Sequence, residues 1–220
     1  MHPTAPRPIG LRLDRSITGV TRSASKGAVR IIAGRWRSRR LPVVTTERLR
    51  PTPDRVRETL FNWLAGEVGG ARCLDLFAGT GALGFEAASR GAKSVVMVER
   101  ERGVAAALER AARALGADNV TITCADALVW TPPAGGQFDI VFLDPPWSGP
   151  APEAALARLE CMGALATRSL AYLETERDAA DIDLPSGWRI RHTRRAGRVR
   201  YHLASRNRPA GRRDPAQGGD

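Results

Sequence analysis

The sequence predicts an α/β fold in which a mostly parallel sheet is covered by helices on both faces. Short, nearly continuous apolar runs alternate with amphipathic stretches from residue 71 onward, and a glycine-rich turn follows the first run. This alternation extends over about 140 residues, which is the length of one α/β domain. The expected strands are 73–77, 94–99, 120–124, 138–143 and 169–173, with helices over 82–90, 103–115 and 152–162.

Further segments extend this domain at both ends. Residues 1–27 are rich in proline, threonine, serine and arginine and lack periodicity, so we expect a disordered basic arm there. An N-terminal extension is expected over 28–65, the α/β domain over 66–205 and a flexible basic tail over 206–220.

Two hairpins and a helix complete the predicted elements. In the extension, segments 29–33 and 36–43 should form a hairpin around Gly34-Arg35, followed by a helix over 53–64 that Thr52 or Asp54 caps. The apolar stripe of that helix consists of Val56, Leu60, Phe61 and Leu64. A second hairpin, 188–193 with 198–204, is expected to close the sheet.

Positive charge is concentrated in the two flanks. Residues 1–50 hold 12 basic and 2 acidic side chains, and residues 188–213 hold ten arginines and no acidic residue. Residues 51–187, by contrast, hold 12 basic and 19 acidic side chains. An acidic body with basic flanks indicates a surface for a polyanion, although a solvated charged face is the alternative.

The cysteines and histidines form no metal-ligand pattern. Cys73, Cys124 and Cys161 are widely spaced and lack a C-x-x-C pair, so we expect reduced thiols and no metal, with Cys73 and Cys124 buried. No apolar run reaches the length of about 18 residues that a membrane span needs, and residues 1–10 hold three prolines where a signal peptide needs an apolar stretch. We therefore expect a soluble, cytoplasmic protein.

A glycine turn joins the first expected strand to a helix. Gly79, Gly81 and Gly84 have the spacing G-x-G-x-x-G, which lets the backbone approach a ligand and points the helix N-terminus at a negative group. In NAD-binding folds that group is a pyrophosphate. Asp75 inside the strand suits instead the ammonium group of S-adenosylmethionine, whose carboxylate would meet the turn. The expected cofactor contacts here are Asp75, Phe77, Ala78, Gly79, Thr80 and Gly81.

Two more carboxylates follow expected strands. Glu99 ends the second strand 20 residues after Gly79, where it can accept from both ribose hydroxyls of the cofactor. Asp126, with Ala127 beside it, follows the third strand and is expected to accept from the adenine amino group. Surface solvation is the alternative for Asp126.

The most specific feature is the tetrad Asp144-Pro145-Pro146-Trp147 after the fourth apolar run. An exocyclic base amine is a poor nucleophile because its lone pair is delocalised, so a catalyst must hold its N–H bonds and orient the lone pair. Asp144 can accept one N–H and the rigid carbonyl of Pro145 the other, while Trp147 can stack on the base. Alone, Asp-Pro-Pro would only end a strand; beside the glycine turn it indicates methyl transfer to a base amine.

On these residues the chain resembles the bacterial 16S rRNA guanine-N2 methyltransferases of the RsmD type. The resemblance covers 29–205 and is strongest in 30–34, 50–64, 75–84 and 144–147. It implies a Rossmann-like class I S-adenosylmethionine methyltransferase with a seven-stranded, mostly parallel sheet in the order 3-2-1-4-5-7-6, preceded by a small hairpin-and-helix extension. The implied substrate is a guanine of 16S rRNA in assembling small ribosomal subunits, and we expect a monomer.

Carried over by position, the resemblance makes Asp144, Pro145, Pro146 and Trp147 catalytic, with Trp147 where phenylalanine or tyrosine is more usual. The expected RNA surface consists of Arg30, Arg35, Arg37, Arg39, Arg40, Arg50, Arg55 and Arg57. The nearest alternative is a DNA methyltransferase acting on N6 of adenine or N4 of cytosine. A nicotinamide oxidoreductase and a non-catalytic RNA-binding assembly factor are the others.

Overall fold

A seven-stranded sheet with helices on both faces forms the body of the molecule. The computed structural model describes residues 26–44, 52–133 and 135–206. Its elements are β1 (Lys26–Arg30), β2 (Arg40–Val44), α1 (Asp54–Trp63), β3 (Arg72–Asp75), α2 (Ala82–Ser89), β4 (Ser94–Glu99), α3 (Arg102–Leu115), β5 (Val120–Cys124), β6 (Phe138–Leu143), α4 (Pro152–Cys161), β7 (Leu165–Glu176), β8 (Trp188–Ala196) and β9 (Val199–Arg206).

The strand order confirms the predicted fold class. The sheet runs β5-β4-β3-β6-β7-β9-β8, which is 3-2-1-4-5-7-6 when its strands are numbered by themselves. The first five strands in this order are parallel, β9 pairs antiparallel with β7, and β8 pairs antiparallel with β9 and so runs in the direction of the first five. The chain progresses in opposite directions from β3 and from β6, and ligands bind in such folds at the carboxyl ends of the strands at this point.

The extension shares its hydrophobic core with the sheet. The predicted apolar stripe of the helix is buried in α1, and the rings of Phe61 and Phe142 lie 5.9 Å apart between centroids. Ile31, Trp36 and Leu41 of the first hairpin belong to the same cluster of buried residues. The extension therefore packs as one body with the α/β domain. Lys26 to Gly27 and Arg206 belong to β1 and β9, and the rest of the predicted arm and tail lies outside the described residues.

The first hairpin differs from the prediction. β1 and β2 pair along their whole lengths, so Gly34 lies within a nine-residue connection, 31–39, instead of forming a two-residue turn. The end of α2 sets this conformation, because the Ser89 carbonyl accepts from Arg35 N–H at 2.7 Å and its hydroxyl accepts from Trp36 N–H at 3.0 Å. Gly34 has φ +84°, and a Cβ there would lie 1.9 Å from the Ser89 carbonyl oxygen.

Helix α1 lacks the predicted side-chain cap. Pro53 stands at the N-cap position, which has no side-chain hydrogen bond to the helix. Thr52 instead donates its hydroxyl to Asp144 Oδ2 at 3.4 Å, and Asp54 Oδ1 accepts from Arg57 at 2.6 Å. Both residues that could cap the helix are therefore used in contacts with side chains.

Both edges of the sheet are more exposed than the sequence indicated. Cys73 in the centre is buried as predicted, whereas Cys124 is exposed because β5 is an edge strand covered incompletely. At the other edge, β8 and β9 are longer than predicted, and most side chains of β8 face solvent. The exposed arginines of β8 are Arg189, Arg191, Arg194 and Arg195.

Candidate active site

The candidate site lies at the carboxyl ends of β3 and β6, which are neighbours in the sheet. β3 continues into the glycine turn and β6 into the tetrad, so the two motifs of the sequence meet there. Gly81 has φ +74° at the N-cap of α2 and offers no capping side chain. A Cβ at Gly81 would lie 2.6 Å from the Leu108 side chain, so the close packing of this turn requires glycine.

Asp75 lies buried beneath the glycine turn. Its Oδ2 accepts from the backbone N–H of Gly84 at 3.0 Å, which ties the end of β3 to the first turn of α2. Burial raises the pKa of Asp75 to about 7; the Gly84 amide lowers it and the charge of Glu99 raises it. A ligand ammonium group would favour the charged form, so the environment suits the predicted role.

Glu99 ends β4 beside the glycine turn. Its Oε2 accepts from the N–H of Gly79 at 2.9 Å, and its Oε1 accepts from the N–H of Glu101 at 2.8 Å. These two backbone bonds fix the carboxylate. Each of its oxygens keeps a further lone pair, so the carboxylate can also accept from two ribose hydroxyls.

The other predicted cofactor contacts border the same crevice. Phe77 is half-buried, and Ala78 and Thr80 are buried in the turn. After β5, Asp126 is exposed and accepts from the N–H of Leu128 at 2.8 Å, so it stabilises its own loop, and Ala127 beside it is buried. The role of Asp126 toward an adenine amino group stays a prediction.

The tetrad combines a partly buried carboxyl with an exposed ring. Asp144 is half-buried and accepts from Thr52, and Pro145 is buried. Trp147 is 50% exposed, so its ring is accessible for stacking, and the Arg198 guanidinium carbon lies 4.8 Å from its centroid.

The surroundings of Asp144 make it a stronger base than an ordinary aspartate. Burial raises the pKa of Asp144 well above its usual range, and the charges of Glu174 and then Asp75 raise it further, whereas the Thr52 hydroxyl lowers it. A carboxyl in this environment gains from donors that approach it, such as the N–H bonds of an amine. It also accepts a proton more readily than an exposed aspartate does.

Comparisons with known proteins identify the family. A family model described as conserved hypothetical protein 95 matches residues 29–205. Over 183 residues the chain is 42% identical to ribosomal RNA small subunit methyltransferase D of Escherichia coli (strain K12), covering 83% of this chain and 92% of that protein. The Haemophilus influenzae protein of the same name is 44% identical over 184 residues, with 81% and 94% covered. The chain belongs to the RsmD family.

Solved structures agree with this assignment. The RsmD-family chain aligns with yhhF from Escherichia coli at a TM-score of 0.77 and 40% identity, covering 82% of this chain and 99% of the other. Magnesium protoporphyrin IX methyltransferase from Synechocystis PCC 6803, solved with bound SAM, aligns at 0.52 with 23% identity, covering 70% and 79%. The similarity to the Synechocystis enzyme concerns the fold alone. Both structures show that the chain has a class I methyltransferase fold.

The extension of this RsmD-family chain presents most of the predicted RNA-binding arginines to solvent. Those exposed are Arg30, Arg35, Arg37, Arg39, Arg40 and Arg55. The prediction for Arg57 is wrong, because its side chain is 1% exposed and bonds Asp54 and the carbonyl of Arg30. Arg57 also lies 3.6 Å from Glu86, a fully buried carboxylate that requires a cation. Arg50 lies outside the described residues.

Three polar residues near the tetrad were not predicted as part of the site. Thr52 was interpreted only as a helix cap. Glu174 follows an apolar run in β7 as Asp144 does in β6, so the sequence held a signal for it. Arg198 was one of ten arginines in its flank, and no spacing distinguishes it.

A cavity of about 380 Å³ does not belong to the site. Its lining includes Gln137 and Gly163, which precede β6 and β7, whereas the site lies at the opposite ends of these strands. Within residues 26–44, 52–133 and 135–206, no group of three or more histidine, cysteine, aspartate or glutamate residues could hold a metal ion. In the same ranges no helix is long and apolar enough to cross a membrane.

Proposed function

We propose that this protein methylates the exocyclic N2 amine of a guanine in 16S rRNA with S-adenosylmethionine as the methyl donor. The observation that supports the proposal most is the meeting of the glycine turn and the Asp144–Trp147 tetrad at adjacent strand ends. The family adds support. The match with this chain covers over 90% of the length of two relatives, and both are named ribosomal RNA small subunit methyltransferase D.

The residues around the glycine turn fit S-adenosylmethionine. Asp75 would accept from its ammonium group, the backbone N–H of Thr80 in the glycine turn would meet its carboxylate, and Glu99 would accept from its ribose hydroxyls. When bound, the cofactor supplies a methyl carbon attached to a positively charged sulfur. The tetrad, which ends in Trp147, follows the neighbouring strand β6, and the target base would enter there.

The tetrad would orient the amine and receive its proton. Asp144 and the carbonyl of Pro145 hold the two N–H bonds, which turns the nitrogen lone pair toward the methyl carbon, while Trp147 stacks on the base. Attack by the amine nitrogen on the methyl carbon would displace the sulfur, which would leave with the electrons of the C–S bond. The nitrogen then becomes acidic, and Asp144, with its raised pKa, is placed to accept the proton.

The proposed setting follows from the substrate. A base must be unstacked to reach this pocket, so we propose an incompletely assembled small subunit as the substrate. We also propose that the enzyme acts in the cytoplasm as a monomer. Exposed arginines of the extension and of β8 would contact RNA phosphates.

Methyl transfer to immature small subunits tests the proposal. The Asp144→Ala variant should lower turnover by more than about 100-fold and leave cofactor affinity within a few-fold, because it removes a preorganised contact to the amine. Asp118→Ala, an exposed position, is the matched control. Mass spectrometry of the product nucleosides should show N2-methylguanosine. Transfer to duplex DNA instead, or turnover of Asp144→Ala within about tenfold of the unsubstituted protein, would refute the proposal.

A further inference from the structure

The tetrad by itself does not select a base. Asp144 and the Pro145 carbonyl can hold the exocyclic amine of guanine, adenine or cytosine equally well. The bases differ at the ring nitrogen beside the amine: guanine N1 carries a hydrogen and donates, whereas adenine N1 and cytosine N3 accept. A site specific for guanine therefore needs an acceptor next to Asp144.

Glu174 is placed beside Asp144 by the sheet. Leu143 of β6 pairs with Leu173 of β7 in parallel register, so the two residues that follow are neighbours at the same end of the sheet. The side chains of Asp144 and Glu174 belong to the face that carries Phe142 and Tyr172, because side chains alternate along a strand. The charge of Glu174 is also the largest charge effect that raises the pKa of Asp144.

Tyr172 holds one oxygen of Glu174. Its hydroxyl donates to Glu174 Oε2 at 2.6 Å, and both side chains are buried. Burial and the charge of Glu174 raise the pKa of Tyr172 well above its usual value, so the phenol stays protonated and remains a donor. Among the described residues no donor bonds Glu174 Oε1, and this is the atom that would accept from a ligand.

We propose that Glu174 accepts a hydrogen bond from N1–H of the target guanine while Asp144 and Pro145 hold its N2 amine. This inference rests on the proposed function and adds the residue that determines the base. Adenine or cytosine would point a ring lone pair at the same oxygen, and the carboxylate would repel it. Tyr172 is a positioning residue, because it acts through Glu174.

A base analogue separates the two contacts. 2-Aminopurine keeps the 2-amine of guanine but has an accepting N1, so RNA with this base at the target position tests N1 recognition alone. We expect the unsubstituted protein to prefer guanine over 2-aminopurine by more than about 100-fold in kcat/KM, and Glu174→Gln to reduce this ratio at least about tenfold. The glutamine amide can donate to N1 of 2-aminopurine. 2-Aminopurine also lacks the O6 atom of guanine, but this loss affects the unsubstituted protein and Glu174→Gln alike. The measurement is therefore the change in the guanine to 2-aminopurine ratio between the two proteins.

Two controls keep the outcomes distinct. Cofactor affinity and melting temperature of Glu174→Gln should match the unsubstituted protein. If Glu174→Gln is too slow to give a ratio, Tyr172→Phe supplies one, because it keeps the charge but frees the carboxylate, and the ratio should fall at least about threefold. A ratio unchanged within about twofold overturns the inference. Absence of transfer to guanine RNA by the unsubstituted protein would instead refute the proposed function.

Discussion

Two kinds of donor hold the carboxyl groups around the crevice. Asp75 and Glu99 accept from backbone amides of the glycine turn and its helix, and Asp144 accepts from the Thr52 hydroxyl. Burial is the largest influence on the pKa of both Asp75 and Asp144. A ligand that brings a positive charge or N–H donors should therefore change the protonation of these two residues.

Cofactor affinity should depend on pH through Asp75. Its pKa is about 7 in the free protein, and an ammonium ligand favours the charged form, so binding selects the deprotonated carboxyl. Affinity should be highest near about pH 7.5 to 8, fall roughly tenfold per pH unit below about pH 6, and fall again at higher pH as the ligand amine loses its own proton. Calorimetric titration measures this profile. Asp75→Asn should bind weakly with little pH dependence below about pH 7, and a flat profile of the unsubstituted protein in that range would exclude Asp75 from ligand binding.

The sequence predicted the residues whose chemistry is visible in local spacing. Asp75 lies just before the glycine turn, Glu99 ends an apolar run and Asp144 begins the tetrad, and the structure brings them together at one end of the sheet. Glu174 carried the same signal without a motif. Its significance depends on β7 lying next to β6, and no local pattern in the sequence determines that pairing.

At the scale of elements, α2 connects the crevice to the extension. Its first turn packs Gly84 against Asp75, and Glu86 accepts from the amides of Ile32 and Ala33 at 2.8 and 3.1 Å. The position of the first hairpin is therefore fixed relative to the glycine turn. The hairpin was mispredicted for this reason, since its conformation depends on Ser89, which is remote in sequence.

Gly84 should be required for the packing of α2. A Cβ there would lie 2.4 Å from Met97 Cε and 3.2 Å from Asp75 Oδ2, so Gly84→Ala should lower the free energy of unfolding by about 1 to 3 kcal/mol. Met97→Ala alone should cost about 2 to 5 kcal/mol through a cavity. In the double variant Gly84→Ala/Met97→Ala the new methyl group occupies part of that cavity. Its free energy of unfolding should therefore fall by less than the sum of the two single losses. Urea denaturation of the three variants measures this, and strict additivity would contradict it.

Arg57 should act in stability and not in RNA binding. Its removal leaves the buried Glu86 with one cation fewer, so Arg57→Ala should lower the free energy of unfolding by about 3 to 5 kcal/mol. The neighbouring Arg55 is exposed, and Arg55→Ala should change stability by less than about 0.5 kcal/mol. Chemical denaturation distinguishes the two. Equal effects of both variants would show that the Arg57 ion pairs contribute nothing.

In the whole molecule, the N-terminal extension and the closing hairpin both reach the tetrad. Thr52 of the extension bonds Asp144, and Arg198 at the tip of the closing hairpin lies over Trp147. The charge distribution predicted a basic surface but not this convergence, because it arises from the pairing of β9 with β7 and of β8 with β9 at the edge of the sheet. A bound RNA could contact arginines on both sides of the entering base.

RNA binding should weaken with salt through both arginine groups. Each phosphate contact contributes roughly −0.7 to −0.9 to the slope of log affinity against log salt. Arg37→Ala/Arg39→Ala and Arg194→Ala/Arg195→Ala should each reduce its magnitude by roughly 1 to 2, because each pair is exposed. Arg110→Ala/Arg113→Ala on α3 is the control. Salt titrations with small-subunit RNA measure the slopes, and an unchanged slope for either test pair would remove that group from the interface.

The exposed edge strand β8 has a consequence for the behaviour of the free protein. A strand at a sheet edge presents unpaired backbone groups on which a strand from another molecule can add, and the proteins that avoid such growth place charges there. Arg189, Arg191, Arg194 and Arg195 give β8 this protection through mutual repulsion between copies. Variants that neutralise these arginines are therefore expected to aggregate more readily, and high salt should have the same effect by screening the repulsion.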